Sequence, residues 1–348
     1  MAIVRYINNP IITRHDVKPS RNDFEVIGVF NPGAVMFDGE YILLLRVAEK
    51  PVNDDPSYHV VCYYDEAKNN IEFIRIKKDH NKVYDPRVIN HENGNYLTSI
   101  SHFRIARSKD GYNFTIDDKP TIKPSNIYEA YGIEDARITE IDGVYYINYC
   151  SASSLGITTS LALTKDFINF KKEGIIFCPD NKDVAIFPEK INGKYYALHR
   201  PSCSNFGKPE MWIAESPDLL CWGNHRKLAG LRDNSWDSGR IGAGAVPFRT
   251  LYGWVEIYHG ATVDDRYYLG VMLLDLNKPW VVLARSETPL VTPEAPYESE
   301  GFLGNVVFSC GVVAEGENIK LYYGAADESV ACIDLKLSDI LENINISV

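Results

Sequence analysis

The stretch Tyr84-Asp85-Pro86-Arg87-Val88-Ile89 places a polar tip at the head of an apolar run, and Tyr96-Leu97-Thr98-Ser99-Ile100, about ten residues on, reads as the returning strand of a hairpin. The arrangement recurs. Asn31-Pro32-Gly33-Ala34-Val35 is answered by Tyr41 to Arg46, Glu134-Asp135-Ala136-Arg137-Ile138 by Tyr145 to Tyr149, and Asp183-Val184-Ala185-Ile186-Phe187 by Tyr195 to His199. Asp38-Gly39-Glu40, Asn93-Gly94-Asn95, Asp142-Gly143-Val144, Asn192-Gly193-Lys194 and Tyr252-Gly253-Trp254 mark the turns, because Asp-Gly and Asn-Gly tolerate positive φ. Their glycines are spaced by 55, 49, 50 and 60 residues. Repeats of this size, each holding several short strands, predict a β-propeller.

A further hairpin runs from Asn305 to Asp327 and turns at Glu315-Gly316-Glu317-Asn318, which makes six hairpin units in all. Residues 3–13 read as a lone strand, placed to supply the missing fourth strand of the last unit and close the ring. Third strands are expected at His59 to Tyr64, Arg104 to Ser108, Thr159 to Leu163, Met211 to Glu215 and Tyr268 to Met272. Ser108-Lys109-Asp110, Thr164-Lys165-Asp166 and Ser216-Pro217-Asp218 read as outer-edge turns. No linker or low-complexity segment divides the chain, so one domain over residues 1–348 is expected.

The composition fits. Hydrophobic residues make up 45% of the 348 and aromatics 12%, with 22 tyrosines suited to half-buried pleated surfaces. A formal net charge of -11 repels phosphate backbones, so nucleic acid is not an expected partner. No apolar run is long enough for a signal peptide or a membrane span, and a soluble, cytoplasmic protein with no membrane partner is expected. The seven cysteines are scattered and form no C-x-x-C pair, which predicts reduced, packed thiols and no zinc site. No nucleotide loop, H-E-x-x-H or G-x-S-x-G pattern occurs. Gly239-Arg240-Ile241-Gly242-Ala243-Gly244 lacks a strand–helix context and reads as a close backbone approach within a propeller.

Antiparallel pairing brings the start of one strand and the end of its partner to the same edge. Asn31, Asp85, Asp135, Asp183 and Asn305 open inner strands, while Arg46, His102, His199, Arg200, His259 and Asp327 end returning strands. Around a ring these two sets converge on one mouth of the channel. Taken singly, each Asp is more often a turn former and each His a satisfied hydrogen-bonding residue. Coincidence across the repeat favours a polar funnel. Arg46, Arg137, Lys182 and His259 then form an anion pocket in an acidic protein, since guanidinium forks match phosphate oxygens. Asp85, Asp135, Asp183 and Asp327 suit sugar hydroxyls, and a carboxylic acid can protonate a leaving glycosidic oxygen.

In order along residues 30 to 327, the motifs Phe30-Asn31-Pro32-Gly33-Ala34, Leu43 to Arg46, Tyr84 to Arg87, Gly132 to Arg137, Lys182-Asp183, Phe187 to Lys190, His199-Arg200-Pro201, Tyr258-His259-Gly260 and Tyr322 to Asp327 resemble glycoside hydrolase family 130, the mannoside phosphorylases and their relatives. The resemblance implies an all-β, five-bladed propeller with a central active-site funnel, one fewer than the six units counted. It implies a glycosyltransferase-type β-mannoside phosphorylase that works by inversion and yields α-mannose 1-phosphate reversibly from mannose-containing disaccharides or oligosaccharides. The overall likeness favours β-1,2 linkages and leaves β-1,4 open. Asp85 corresponds to the general acid, acting through the sugar's 3-hydroxyl. Arg46, Arg137, Lys182 and His259 correspond to phosphate ligands, and Asn31, Asp135, His199, Arg200 and Asp327 to mannose ligands. Ala136 stands where many relatives have proline. No metal or cofactor is implied, phosphate being a co-substrate, and homo-oligomerisation is left open. Two rival readings are a phosphate-independent inverting β-mannosidase and a noncatalytic sugar-binding propeller. The loops Pro51–Tyr58 and Ser202–Pro209 are expected to shape the acceptor side.

Overall fold

A computed structural model of the chain describes residues 3–79, 85–92, 94–202 and 205–346. The strands form five sheets of three or more strands, which stand as the blades of a propeller. Blade I comprises Phe24–Phe37, Glu40–Pro51, Ile100–Ser108 and Thr115–Ile116; blade II comprises Gly132–Ile141, Val144–Ser153, Gly156–Thr164 and Lys171–Phe177. Blade III holds Asn181–Ile186, Tyr195–Pro201, Met211–Ser216 and Gly223–Ala229. Blade IV holds Arg240–Gly242, Trp254–Ala261, Tyr267–Leu274 and Val282–Arg285, with Phe248–Arg249 beside its second strand. Blade V is Val307–Glu315, Asn318–Ala325 and Ser329–Lys336. The N-terminal segment bridges the last of these strands through Arg5 to Ile333 and Ile12 to Val330, so first and last segments meet as expected, but residues 3–13 form two isolated bridges around a turn rather than a fourth strand.

The apolar runs face both ways because each blade is buried between two others. Ile42 and Leu44 of blade I pack with Ile133, Ile138 and Ile147 of blade II. Leu43, Leu45 and Val47 turn to the opposite side and pack with Tyr322, Val330 and Cys332 of blade V. Comparable seams join blades II and III at Leu161 and Ile186, III and IV at Leu198 and Trp254, and IV and V at Val271 and Leu321. At roughly 1.5–3 kcal/mol for each fully buried large apolar side chain, these seams hold the ring shut. The outer turns repeat one device. Ser108 Oγ accepts from Gly111 N at 2.9 Å, Thr164 Oγ1 from Phe167 N at 3.0 Å and Ser216 Oγ from Leu219 N at 2.8 Å.

The sixth unit is not a blade. Among the described residues, Tyr58–Asp65 pairs only with Asn70–Lys77, and Val88–His91 only with Gly94–Leu97, so both hairpins form an arm inserted between the second and third strands of blade I. Residues His59 to Tyr64 are therefore not a third strand; Ile100–Ser108 is, in register with Glu40–Pro51. Asp85 opens no inner strand and precedes the arm's second hairpin. Tyr84, Asn93 and Cys203 lie outside the described residues. Among the described residues, the cysteines are free, and no helix is long and apolar enough to cross a membrane.

Candidate active site

Three inner strands carry the same irregularity. In blade I the pairing shifts between Phe30 and Gly33, so Asn31 and Pro32 oppose one residue of the second strand. Asp135 and Ala136 do so in blade II, and Asp183 and Val184 in blade III. The first residue of each bulge is left-handed, with φ of 47° at Asn31, 54° at Asp135 and 54° at Asp183. Asn and Asp tolerate this region better than other side chains, which is why Asx recurs at this offset. The bulges re-aim three polar side chains toward the channel axis. In blade IV, Gly242 pairs with His259 as Lys182 pairs with Arg200 in blade III, and a Cβ on it would stand 2.2 Å from Asp183 Oδ2 and 2.6 Å from His259. The glycine-rich stretch is thus a close approach, as its sequence predicts.

Above the bulges lies a cavity of about 400 Å³. Of the ten residues singled out from sequence, Asp85, Arg46, Lys182, His259, Asn31, Asp135, Arg200 and Asp327 border it. On the blade I and II side, Arg46 Nη1 lies 2.9 Å from Asp135 Oδ1 and Nη2 lies 2.8 Å from Glu134 Oε1, while Asn31 Nδ2 donates to Asp135 Oδ1 at 2.9 Å. The Phe30 ring lies under the Arg46 guanidinium, 4.7 Å from its centroid. Lys182 Nζ is 3.7 Å from Glu134 Oε2. On the blade III and IV side, Asp183 Oδ2 accepts from Arg200 Nε at 2.6 Å and lies 3.3 Å from His259 Nε2.

These partners set the charges. Burial pushes the Asp135 and Asp183 carboxyls up, but Arg46 beside the first and Arg200 and His259 beside the second hold them below the usual carboxylate range. Burial also works against the Lys182 ammonium, and Glu134 overcomes it. Burial pushes His259 down despite Asp183, which keeps the ring neutral near pH 7. Asp327 is pushed up to about 6 by burial, with Arg46 opposing. Asp85 is held low by the Arg87 fork, which donates from Nε at 3.1 Å and Nη2 at 3.1 Å.

Two predicted ligands do not border the cavity. Arg137 donates from Nε to Gly244 O at 2.6 Å, from Nη2 to Ala243 O at 2.8 Å and from Nη1 to Asp135 O at 3.1 Å. It ties the blade II bulge to blade IV from beneath. His199, opposite the blade III bulge, contacts Asn181 Nδ2 and His225 Nδ1, both at 3.0 Å, and burial pushes it down to about 3. His102 lies elsewhere, buried beside Arg104 and Glu49, and Asn305 is not among the lining residues. Sequence reading passed over the roles of Glu134, Arg87, Arg240 and Tyr267. Glu134 and Arg87 stood inside quoted motifs and Arg240 inside the quoted glycine-rich stretch, whereas Tyr267 carried no signal beyond its place in blade IV. Ser202 borders the cavity too, while Asn53, Pro56 and Tyr58 line a neighbouring hollow that shares Ile27 and Phe302 with it. Among the described residues no cluster would hold a metal.

The molecule is a five-bladed propeller whose bulged inner strands present carboxylates, amides and cations to one pocket, a lining that can hydrogen-bond hydroxyls and hold an anion. Residues 95–345 match the sequence profile of glycoside hydrolase family 130, described as beta-1,4-mannooligosaccharide phosphorylase. The chain is 50% identical to a beta-1,2-mannobiose phosphorylase of Listeria innocua serovar 6a, covering 99% of both chains. It is 41% identical to a 1,2-beta-oligomannan phosphorylase of Thermoanaerobacter sp. strain X514, over 70% of this chain and 82% of that one. The solved structure of the Listeria innocua beta-1,2-mannobiose phosphorylase in complex with beta-1,2-mannobiose superposes with a TM-score of 0.94 at 48% identity, covering 99% of each chain. The chain belongs to glycoside hydrolase family 130.

Proposed function

We propose that the chain catalyses the reversible, inverting phosphorolysis of β-1,2-mannosides, mannobiose or short oligomannosides, to α-mannose 1-phosphate. The observation that carries this reading is the meeting of Asp85 with Arg46, Lys182 and His259 around one cavity, beside the hydrogen-bonding set Asn31, Asp135, Arg200 and Asp327. The β-1,2 linkage is supported by the full-length likeness to the Listeria protein, and is preferred to the β-1,4 linkage in the family description. In this scheme a phosphate oxygen bonds to the anomeric carbon on one face as the glycosidic bond breaks on the other. The leaving oxygen receives the Asp85 proton, relayed by the sugar's 3-hydroxyl. One acid suffices, because phosphate replaces the base-activated water of an inverting hydrolase.

Arg46 and Lys182 supply positive charge, and His259, with its Nε2 turned to Asp183, completes the proposed phosphate set. Arg137 and His199 act from behind the wall. Phosphate is a co-substrate, and the scheme needs neither metal nor cofactor. The test is incubation with β-1,2-mannobiose with and without inorganic phosphate. Mannose 1-phosphate forms only with phosphate, and Asp85→Asn abolishes it while leaving the fold intact, since Asp85 is at the cavity mouth. Release of free mannose without phosphate would instead identify a β-mannosidase.

A further inference from the structure

The acid of the proposed reaction is held in the wrong state. Arg87 grips Asp85 with its backbone N–H at 2.8 Å and both edges of its guanidinium fork, an arrangement that stabilises the carboxylate. A general acid must carry a proton when substrate is bound, so Arg87 needs another partner at that moment.

Blade IV offers one. Asp265 does not border the cavity, yet it stands behind the two blade-facing arginines that do, Arg87 and Arg240. Its Oδ1 accepts from Arg240 Nη2 at 2.6 Å, and its Oδ2 lies 3.9 Å from Arg87 Nη2. The same Nη2 is 3.1 Å from Asp85 Oδ2. A swing of roughly 1 Å would turn the longer contact into a charge-assisted hydrogen bond. Asp265 is itself well anchored. It is left-handed, φ 61°, in a turn where Asp265 N donates to Thr262 O at 3.2 Å and Thr262 N to Arg266 O at 3.0 Å. Arg240 is fixed from its other side by Tyr267, 2.9 Å from Nη1 to the hydroxyl.

We infer that Asp265 is a positioning residue for the reaction: it draws the Arg87 guanidinium off Asp85 when a mannoside fills the cavity, and so ties the inserted arm to blade IV. Asp85, released, takes a proton from solvent, passes it toward the leaving oxygen and recovers it in the reverse direction. Among the described residues, the other charged or titratable groups around the pair are Arg240 and Tyr267 of blade IV and Asp327 of blade V. The inference rests on the proposed phosphorolysis with Asp85 as acid.

The test compares pH profiles of phosphorolysis of β-1,2-mannobiose for the wild type, Asp265→Asn, Arg87→Gln and the double variant. Asn accepts the left-handed backbone, and the carboxylate is one-third exposed, so Asp265→Asn keeps the fold. In kcat, which reports the substrate complex, Asp265→Asn loses its alkaline side at lower pH than the wild type, by roughly tenfold in rate there. In kcat/KM, which reports the free enzyme, its alkaline limb stays in place. Arg87→Gln moves the kcat/KM limb to higher pH, and adding Asp265→Asn to it changes neither limb. A wild-type kcat profile in Asp265→Asn, or an equal shift on the Arg87→Gln background, overturns the inference. Phosphorolysis retained by Asp85→Asn overturns the functional reading, and this one with it.

Discussion

Asp183→Asn isolates the charge beneath the cavity. The residue is 2% exposed, and its carboxylate meets Arg200 Nε at 2.6 Å, His259 Nε2 at 3.3 Å and Arg137 Nη2 at 3.8 Å. Asparagine has the same shape and accepts the backbone φ of 54°, so the substitution removes a charge without adding strain. Arg200 and Arg137 then share a buried wall with too little negative charge. Removing one partner of a buried pair costs about 3–5 kcal/mol. The lower end applies, because Arg137 keeps its three carbonyl acceptors and the cavity admits water to Arg200. With an unfolding entropy of about 2.1 cal/mol/K per residue, a loss of about 3 kcal/mol lowers the midpoint of this 348-residue chain by roughly 4 °C. The pH dependence has a definite sign. Although burial alone would raise it, Arg200 and His259 hold the Asp183 carboxyl well below its unfolded value, so its stabilisation is present above about pH 4 and fades as pH falls further. Thermal unfolding followed by circular dichroism in phosphate-free buffer, near neutrality and near pH 3, measures both effects. A neutral-pH difference below about 1 °C, or a gap that widens on acidification, would refute the reasoning.

Asp327→Asn has the opposite sign: the carboxyl is pushed up to about 6, so its ionised form costs stability above that pH, and the asparagine variant melts about 2 °C higher there. That gain disappears between about pH 6 and 4, and turnover falls at every pH because the pocket loses its carboxylate; a variant no more stable than wild type at pH 8 would contradict the shift. Arg137→Lys removes the fork that joins the blade II bulge to Gly244 and Ala243, and it lowers the midpoint by several degrees while weakening mannose and phosphate binding together. Calorimetric titrations showing loss of phosphate affinity alone would return Arg137 to the phosphate site.

The fold was legible because hairpin turns and alternation are local. Asp38-Gly39, Asp142-Gly143 and Asn192-Gly193 each mark a blade's first hairpin, and the Ser/Thr-x-Asp triplets mark its outer turn. Asn93-Gly94 misled for the same reason. A hairpin inserted as an arm has the same turn chemistry and the same apolar alternation as one inside a blade, and only its neighbours distinguish them. The pairing that decides the matter, Glu40–Pro51 with Ile100–Ser108, spans the whole insertion, and nothing local to residues 52–99 announces it.

The candidate site was legible to the extent that a bulge repeats. Asn31, Asp135 and Asp183 recur at one offset because the inner strands of blades I to III each need a residue that tolerates a left-handed backbone there, and that need is written into the sequence. What each side chain faces is not, because partners come from different blades. Arg46, Arg137, Lys182 and Arg200 read along the chain as free cations, yet all four sit against Glu134, Asp135 or Asp183. The wall is therefore close to neutral rather than strongly positive. A phosphate entering it finds few unpaired cations and must share those already bound to carboxylates, so under the proposed function its capture depends on orientation of donors rather than on net charge. The inserted arm fits this logic. It brings Asp85 and Arg87, the most exposed acid and base of the cavity's ion pairs, to a pocket whose deeper charges are already matched.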